Sequence, residues 1–132
     1  MFKKHLFFIL NVLLLLVSIC VQAKRPEYTL TIKNHLFYPA ELVIPADQKV
    51  KLIINNHDTT PEEFDSFDLN REKVIFPNSK SVIYLGPLTP GRYEFFGEYN
   101  PSSARGVVVV MPKNAITPEN SVQLVSEVSN AH

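Results

Sequence analysis

The residue types best suited to chemistry lie in segment 62–66, which reads Glu-Glu-Phe-Asp-Ser directly after Pro61. Two adjacent carboxylates near a strand end repel each other, and a bound cation would relieve that repulsion. Oxygen-rich sites suit hard ions such as iron, manganese or calcium, or Cu(II) with mixed ligands. The alternative is a solvated acidic surface, because acidic runs are commonly surface features. In that case the charge partners would be Arg71, Lys73 or Arg105.

A second candidate region runs from Tyr93 to Gly106 and links two predicted strands through a loop. It contains Glu98 and Asn100 but no cysteine, histidine or methionine. Its possible metal ligands are therefore carboxylate, amide, hydroxyl and backbone oxygens. Such a donor set favours a hard cation over a soft one.

The elements that must position these residues are β-strands, because apolar residues recur with a period of two along the chain. Tyr28, Leu30 and Ile32 alternate with polar residues, and turns rich in Pro, Gly and Asn separate the segments. Seven or so short strands without helical periodicity predict an all-β, antiparallel sandwich. The predicted strands are 28–33, 41–44, 50–54, 62–66, 82–85, 92–96 and 107–111, with a mixed segment at 69–76.

The strand at 62–66 has a predicted orientation. Phe64 is expected to face the core, so Glu62 and Ser66 share its inner face, because strand side chains alternate between the two faces of a sheet. Glu63 and Asp65 then point outward. The two adjacent glutamates are therefore expected on opposite sides of the sheet.

The first 23 residues form a predicted secretory signal peptide. A basic start and an apolar run precede the small-x-small cleavage site Val21-Gln22-Ala23. A retained membrane anchor is the alternative, but the apolar run is short for a membrane span. Cys20 suggests a lipoprotein, yet the bulky Ile19 before it argues against that processing.

Cleavage would leave 109 of the 132 residues, forming one domain at 24–112 and a flexible tail at 113–132. It would remove Cys20, the single cysteine, which excludes a disulfide framework and a cysteine nucleophile. It would also remove two lysines from a chain of formal charge zero, and a charge of −2 argues against nucleic-acid binding. The mature chain is thus predicted to be periplasmic and not embedded in a membrane.

Several motifs are spread over residues 27–111, namely Phe37, Pro39, Asn56, Pro61-Glu62-Glu63-Phe64, Leu88-x-Pro90-Gly91-x-Tyr93, Phe96-Gly97-x-x-Asn100 and Gly106-Val107. Together they resemble the cupredoxins. It implies a Greek-key β-sandwich that binds copper at one end through two histidines, a cysteine and a methionine. This chain has Glu62 and Asn100 at the histidine positions, Gly97 at the cysteine position and Ala104 near the methionine position. Type 1 copper requires the thiolate, so the resemblance implies no blue copper centre here.

Three segments narrow the resemblance, namely Asn70-Arg71-Glu72-Lys73-Val74, Pro61-Glu62-Glu63-Phe64 and Phe95-Phe96-Gly97-Glu98. They are similar to the stand-alone periplasmic cupredoxin-like proteins found beside bacterial iron permeases, akin to the cupredoxin domain of EfeO. This similarity implies that the protein handles iron or copper for a membrane iron-uptake system, with an iron permease or another periplasmic component as partner. Any enzymatic role would be to assist oxidation of ferrous iron, because hard anionic oxygens favour Fe(III).

The geometry implied by the resemblance extends the site hypothesis, because the strand of Glu62 should lie beside the strand that ends at Gly97. The predicted metal ligands are Glu62, Glu63, Asp65 and Glu98, with His57 as the nearby nitrogen ligand. His35 is expected to be exposed or hydrogen-bonded rather than a ligand. Gly97 is expected to lack a side chain because the acidic strand approaches closely there.

Two functions from different classes remain open. The first is metal handling at the carboxylate-rich site, and the second is a metal-free interaction domain whose former copper end docks a membrane or periplasmic partner. A hydrolase is disfavoured, because Ser66, Ser102 and Ser103 have no suggested histidine near them except His57.

Overall fold

The computed structural model describes residues 2–4 and 24–117. The predicted signal peptide, apart from residues 2–4, and the tail beyond Thr117 lie outside the described residues. The described part contains nine strands. Their bounds are β1 Glu27–Lys33, β2 Leu36–Tyr38, β3 Glu41–Pro45, β4 Val50–Asn56, β5 Glu62–Ser66, β6 Arg71–Ile75, β7 Ser79–Leu85, β8 Gly91–Gly97 and β9 Arg105–Met111. A short 3-10 helix follows at Lys113–Ala115.

The strands form two sheets, ordered β2-β1-β4-β7 and β3-β9-β8-β5-β6. The predicted all-β sandwich is confirmed. Its pairing is more varied than predicted, because β1 pairs parallel with β4 and β3 pairs parallel with β9, while the other five pairs are antiparallel. After β1 the chain turns back as β2, crosses to the second sheet as β3 and returns to the first sheet as β4. Strand β4 therefore runs in the same direction as β1.

The core lies between the sheets and contains an aromatic cluster next to the acidic strand. Phe37, Phe64 and Phe95 are nearly fully buried. The ring centroids of Phe64 and Phe95 are 5.0 Å apart in a stacked arrangement, and Phe37 meets both rings edge-on. Burial of one such ring contributes about 2–3 kcal/mol. The inner face of β5 is therefore anchored by its central phenylalanine.

The predicted orientation of β5 is confirmed. Glu62, Phe64 and Ser66 are at most 1% exposed, and the two residues between them are half-buried. Phe64 is paired with Gly97 in the antiparallel register of β5 and β8. This register places the start of β5 beside the loop that follows β8.

A tight hairpin turn at Asn34 and His35 joins β1 to β2. Both residues have positive φ, 52° and 60°, which is the geometry of a type I′ turn. The Asp58 carboxylate accepts the backbone N–H groups of Asn34 at 2.7 Å and His35 at 2.9 Å. The turn is thus held by a residue from the loop between β4 and β5.

No helix among the described residues is both long enough and apolar enough to span a membrane.

Candidate functional site

The centre of the candidate site is the carboxylate of Glu62, which is 1% exposed. Its Oε1 accepts the backbone N–H groups of Glu63 at 2.9 Å and Tyr99 at 3.0 Å. Its Oε2 accepts the side-chain amide of Asn100 at 2.7 Å. All three donors are uncharged N–H groups, which satisfy the buried oxygens by hydrogen bonding.

Small residues make room for this carboxylate. A Cβ atom on Gly97 would lie 2.6 Å from Glu62 Cδ and 2.8 Å from Glu62 Oε2. The same Cβ would lie 2.8 Å from the Cβ of Ala104. The expectation that Gly97 lacks a side chain because the acidic strand approaches closely is therefore confirmed.

The loop between β8 and β9 is fixed by backbone hydrogen bonds at both ends. Gly97 N–H donates to Ala104 O at 2.8 Å, and Ala104 N–H donates to Asn100 O at 2.9 Å. Glu98 N–H donates to Glu63 O at 2.9 Å, which ties the loop to β5. These bonds hold the Asn100 side chain over the Glu62 carboxylate.

A histidine that the sequence did not single out as a ligand lies next to this pair. His35 Nδ1 is 3.3 Å from Asn100 Nδ2 and 3.8 Å from the Asp58 carboxylate, and the ring is 47% exposed. The expectation of an exposed or hydrogen-bonded His35 is confirmed. Its nearness to Asn100 was missed, because 65 residues separate the two along the chain. The signal available in the sequence was the pair Asn34-His35, which can form a hairpin turn between two segments of alternating apolar and polar residues.

The other predicted ligands are distributed around this centre. Glu63 and Asp65 are half-buried on the outward side of β5, and Glu98 is exposed. Asp65 lines a separate concavity with Phe67, Asn70, Arg71 and Glu72. Among the described residues, no group of three or more His, Cys, Asp or Glu side chains is arranged to hold a metal ion. The four acidic residues are therefore not gathered into one cluster.

His57 lies away from these carboxylates. Its exposed side chain lines a concavity with Asn55, Asn56, Asn78, Ser79 and Lys80, none of them acidic. The imidazole that contacts the Asn100 amide bound to Glu62 is that of His35 rather than that of His57. The difference arises because the hairpin turn and the β8–β9 loop meet at one end of the sandwich.

The alternative of paired surface charges is also not observed. Within residues 24–117, the ion pairs join His35 to Asp58, Lys51 to Glu27 and Arg92 to Glu41. The guanidinium of Arg71 donates instead to the backbone carbonyls of Tyr84 and Asn70. The predicted acidic residues thus have no Lys or Arg partner in the described part of the chain.

The pKa of the Tyr99 phenol reflects the negative charge around the site. Desolvation raises the pKa of its phenol above the ordinary value of 10, and the carboxylates of Glu63, Glu62 and Glu98 raise it further. Three of the four predicted acidic ligands therefore act on one half-exposed ring. Asp65 has no part in this effect, in keeping with its separate concavity.

Removal of one of these charges should shift the titration of Tyr99. We expect Glu63→Gln to lower the Tyr99 pKa toward 10, because Glu63 raises that pKa more than the other two carboxylates do, both through its charge and through a hydrogen bond with the phenol. Ultraviolet difference titration measures this, with Tyr99→Phe identifying the signal. Glu27→Gln, which removes a carboxylate paired with Lys51, is the control. An unchanged titration in Glu63→Gln would contradict the assignment.

The side chains at this end of the sandwich do not fit a type 1 copper ion. Glu62, Gly97, Asn100 and Ala104 converge there, and they offer carboxylate and amide groups but no thiolate or thioether. A blue copper centre depends on a cysteine sulfur.

Comparison with known proteins identifies relatives of this chain. Residues 6–110 match the model of the cupredoxin-like domain family. An uncharacterized protein of Rickettsia prowazekii (strain Madrid E) is 45% identical over 84 residues, which cover 64% of this chain and 67% of that protein.

Solved structures resemble the fold at low sequence identity. The metal-binding domain of the Cu(I)-exporting P-type ATPase CopA of Streptococcus pneumoniae D39, determined with Cu(I), has a TM-score of 0.58 and 15% identity, with 64% of this chain and 84% of that chain covered. Auracyanin of Roseiflexus castenholzii has a TM-score of 0.56 and 14% identity, with 68% of this chain and 100% of that chain covered. Amicyanin of Paracoccus versutus has a TM-score of 0.52 and 18% identity, with 70% of this chain and 86% of that chain covered.

Proposed function

Because this chain belongs to the family of cupredoxin-like domains, we propose that it is an exported metal-handling protein that binds iron or copper at the Glu62 end of its sandwich. Export follows from the predicted signal peptide at 1–23 and delivers the domain to the periplasm. There it serves a membrane iron-uptake system, with an iron permease or another periplasmic component of that system as partner.

The observation that carries this proposal is a buried carboxylate without a cationic partner. Glu62 is 1% exposed, and within residues 24–117 no Lys or Arg forms an ion pair with it. Burial of a carboxylate is costly when hydrogen bonds are its only compensation. A bound cation supplies the positive charge that the surrounding side chains do not.

The ligand chemistry favours a hard or borderline ion. Copper is the metal bound by the similar CopA domain, which was determined with Cu(I), and by a similar copper-binding protein solved in its apo form. In this chain Gly97 and Ala104 stand at the positions where the cupredoxin resemblance implies sulfur ligands, so oxygen donors dominate. Such donors favour Fe(III) and Cu(II) over Cu(I).

The outward-facing carboxylates of Glu63 and Glu98 add negative charge to the protein surface around the site. Both act on the phenol of Tyr99, a residue of the β8–β9 loop whose backbone N–H donates to Glu62. A surface of one charge sign raises the local concentration of oppositely charged ions. These two residues are therefore assigned to attraction of the cation and Glu62 to its binding.

Calorimetric titration of the protein with Fe(II) under nitrogen, and separately with Cu(II), tests this function. We expect at least one ion to bind more tightly than about 100 µM, which corresponds to about −5.5 kcal/mol. Glu62→Gln should abolish binding, and the Glu63→Gln, Glu98→Gln double variant should weaken it. Glu27→Gln removes a carboxylate engaged with Lys51 and should leave binding unchanged.

A metal-free interaction domain is the second candidate, favoured by exposed aromatic rings. Phe67 is 81% exposed and Phe76 is 68% exposed. Exposed aromatic side chains are enriched at protein interfaces. Absence of binding by both metals in the titration would refute metal handling and leave this candidate, in which the domain docks a membrane or periplasmic partner.

A further inference from the structure

Two hydrogen-bond acceptors converge on one amide at the covered end of the sandwich. Asn100 Nδ2 lies 2.7 Å from Glu62 Oε2 and 3.3 Å from His35 Nδ1. An amide nitrogen carries two hydrogens and can donate to both atoms. In that arrangement His35 Nδ1 is an acceptor and the ring proton is on Nε2. A lone pair of the Glu62 carboxylate and a lone pair of the His35 ring are therefore both directed at the Asn100 amide nitrogen.

His35 holds this position at a conformational cost. Its φ of 60° lies in the left-handed region, at the second central position of a type I′ turn where glycine is preferred. The carboxylate of Asp58 fixes the turn through two backbone N–H groups. Asp58 is itself fixed, because its N–H donates to the buried Asn56 at 2.9 Å. The ring is thus presented by a rigid support rather than by a free loop.

We propose that Glu62, His35 and Asn100 form a divalent-cation site in which the ion replaces the amide hydrogens between the two acceptors. Glu62 Oε2 and His35 Nδ1 supply two ligands, and Asn100 turns its amide so that Oδ1 becomes the third. This inference rests on the proposed metal-handling function and names its ligands. It substitutes His35 for the predicted nitrogen ligand His57.

The geometry needs little rearrangement. After the amide turns, Asn100 Oδ1 takes the place of the nitrogen that now lies 2.7 Å from Glu62 Oε2 and 3.3 Å from His35 Nδ1. Ligand atoms that bind one ion at about 2.0–2.3 Å lie about 3 Å from each other, so these separations already suit a shared coordination sphere. The oxygen and nitrogen of an asparagine amide occupy nearly the same volume, so the turn of Asn100 requires no extra space.

The three ligands come from three separate elements. His35 lies in the β1–β2 turn, Glu62 begins β5, and Asn100 lies in the β8–β9 loop. The half-exposed His35 ring leaves one side of the site open to water or to a metal donor. One imidazole, one carboxylate and one amide oxygen suit Fe(II), Cu(II) or Zn(II). An open coordination position is what transfer of a metal to a partner requires.

Substitution of His35 by glycine separates a ligand role from a structural one. Glycine favours the left-handed backbone of this turn, so His35→Gly should keep or raise the thermal unfolding midpoint. The same variant should weaken Cu(II) binding at least tenfold and remove the imidazole nitrogen coupling from the electron paramagnetic resonance spectrum. His57→Gly serves as the matched control and should bind Cu(II) within twofold of the original protein.

The outcomes of this titration are distinct. Cu(II) binding that survives His35→Gly but is lost in Glu62→Gln would overturn the proposed ligand set and leave the metal-handling function intact. Loss of binding in His57→Gly with retention in His35→Gly would also overturn it. Failure of the unsubstituted protein to bind Cu(II), Fe(II) or Zn(II) would remove both this site and the proposed function.

Discussion

Replacement of Gly97 by alanine is expected to lower the free energy of unfolding by about 2–4 kcal/mol. The added methyl group would lie 2.6 Å from Glu62 Cδ and 2.8 Å from the methyl group of Ala104. Both neighbours are buried, and Glu62 is held by three hydrogen bonds, so neither can move without further loss. The stability would be lost through steric overlap of the new methyl group rather than through an unfavourable backbone conformation at position 97.

Gly91→Ala is the matched control, because Gly91 begins the same strand. Its added methyl group would meet the Tyr93 ring at 3.6 Å, an ordinary van der Waals distance. Urea unfolding of both variants should show a change within about 0.5 kcal/mol for Gly91→Ala. If the two substitutions cost the same, the close approach of Glu62 to Gly97 is not a determinant of stability.

A double-mutant cycle extends this experiment. Glu62→Ala removes the atoms that would clash with the new methyl group, so the two substitutions should not be additive. We expect a coupling of at least about 1 kcal/mol between Gly97→Ala and Glu62→Ala, because residues in direct contact usually couple. Strict additivity would argue that Ala104 alone opposes the methyl group.

Replacement of Glu62 by alanine is expected to cost about 3 kcal/mol by itself. It deletes the acceptor of two backbone N–H groups, those of Glu63 and Tyr99, and leaves the amide of Asn100 without its 2.7 Å partner. Each buried donor left unsatisfied costs about 1–3 kcal/mol, and a cavity adds to the loss. Chemical unfolding in urea measures the total.

Glu62→Gln provides the informative comparison. The glutamine oxygen can still accept the two backbone N–H groups, and its amide can donate to Asn100 after the latter turns by 180°. We expect a change within about 1 kcal/mol of the original protein. A cost as large as that of Glu62→Ala would mean that the negative charge, rather than the hydrogen-bond geometry, holds this end of the sandwich together.

Local sequence pattern was sufficient to predict seven of the nine described strands and the faces of β5. Alternation of Glu62, Phe64 and Ser66 on one side follows from the period of a strand, and the structure buries all three. The two strands around the site loop, β8 and β9, were likewise predictable, because Tyr93, Phe95 and the valines at 107–110 have strong β-propensity. The close approach at Gly97 followed once β5 was placed beside β8.

Two of the four edge strands, β2 and β6, were less predictable. β6 begins with three exposed charged residues, Arg71, Glu72 and Lys73, so it has no alternating apolar pattern. β2 contains three residues, too few to show a period. The parallel pairing of β1 with β4 depends on the path of the chain between the sheets rather than on either strand.

The amino-acid sequence by itself determined the all-β sandwich, the inward direction of Glu62 and the need for a small residue at position 97. These properties depend on neighbouring residues and on one strand pairing. Only the tertiary structure decided which side chains meet the buried carboxylate. It brings Asn100 and His35 together at Glu62 and leaves His57 elsewhere. The reason is that hydrogen bonds between distant segments depend on how turns from both sheets meet at one end of the fold, and no local pattern encodes that meeting.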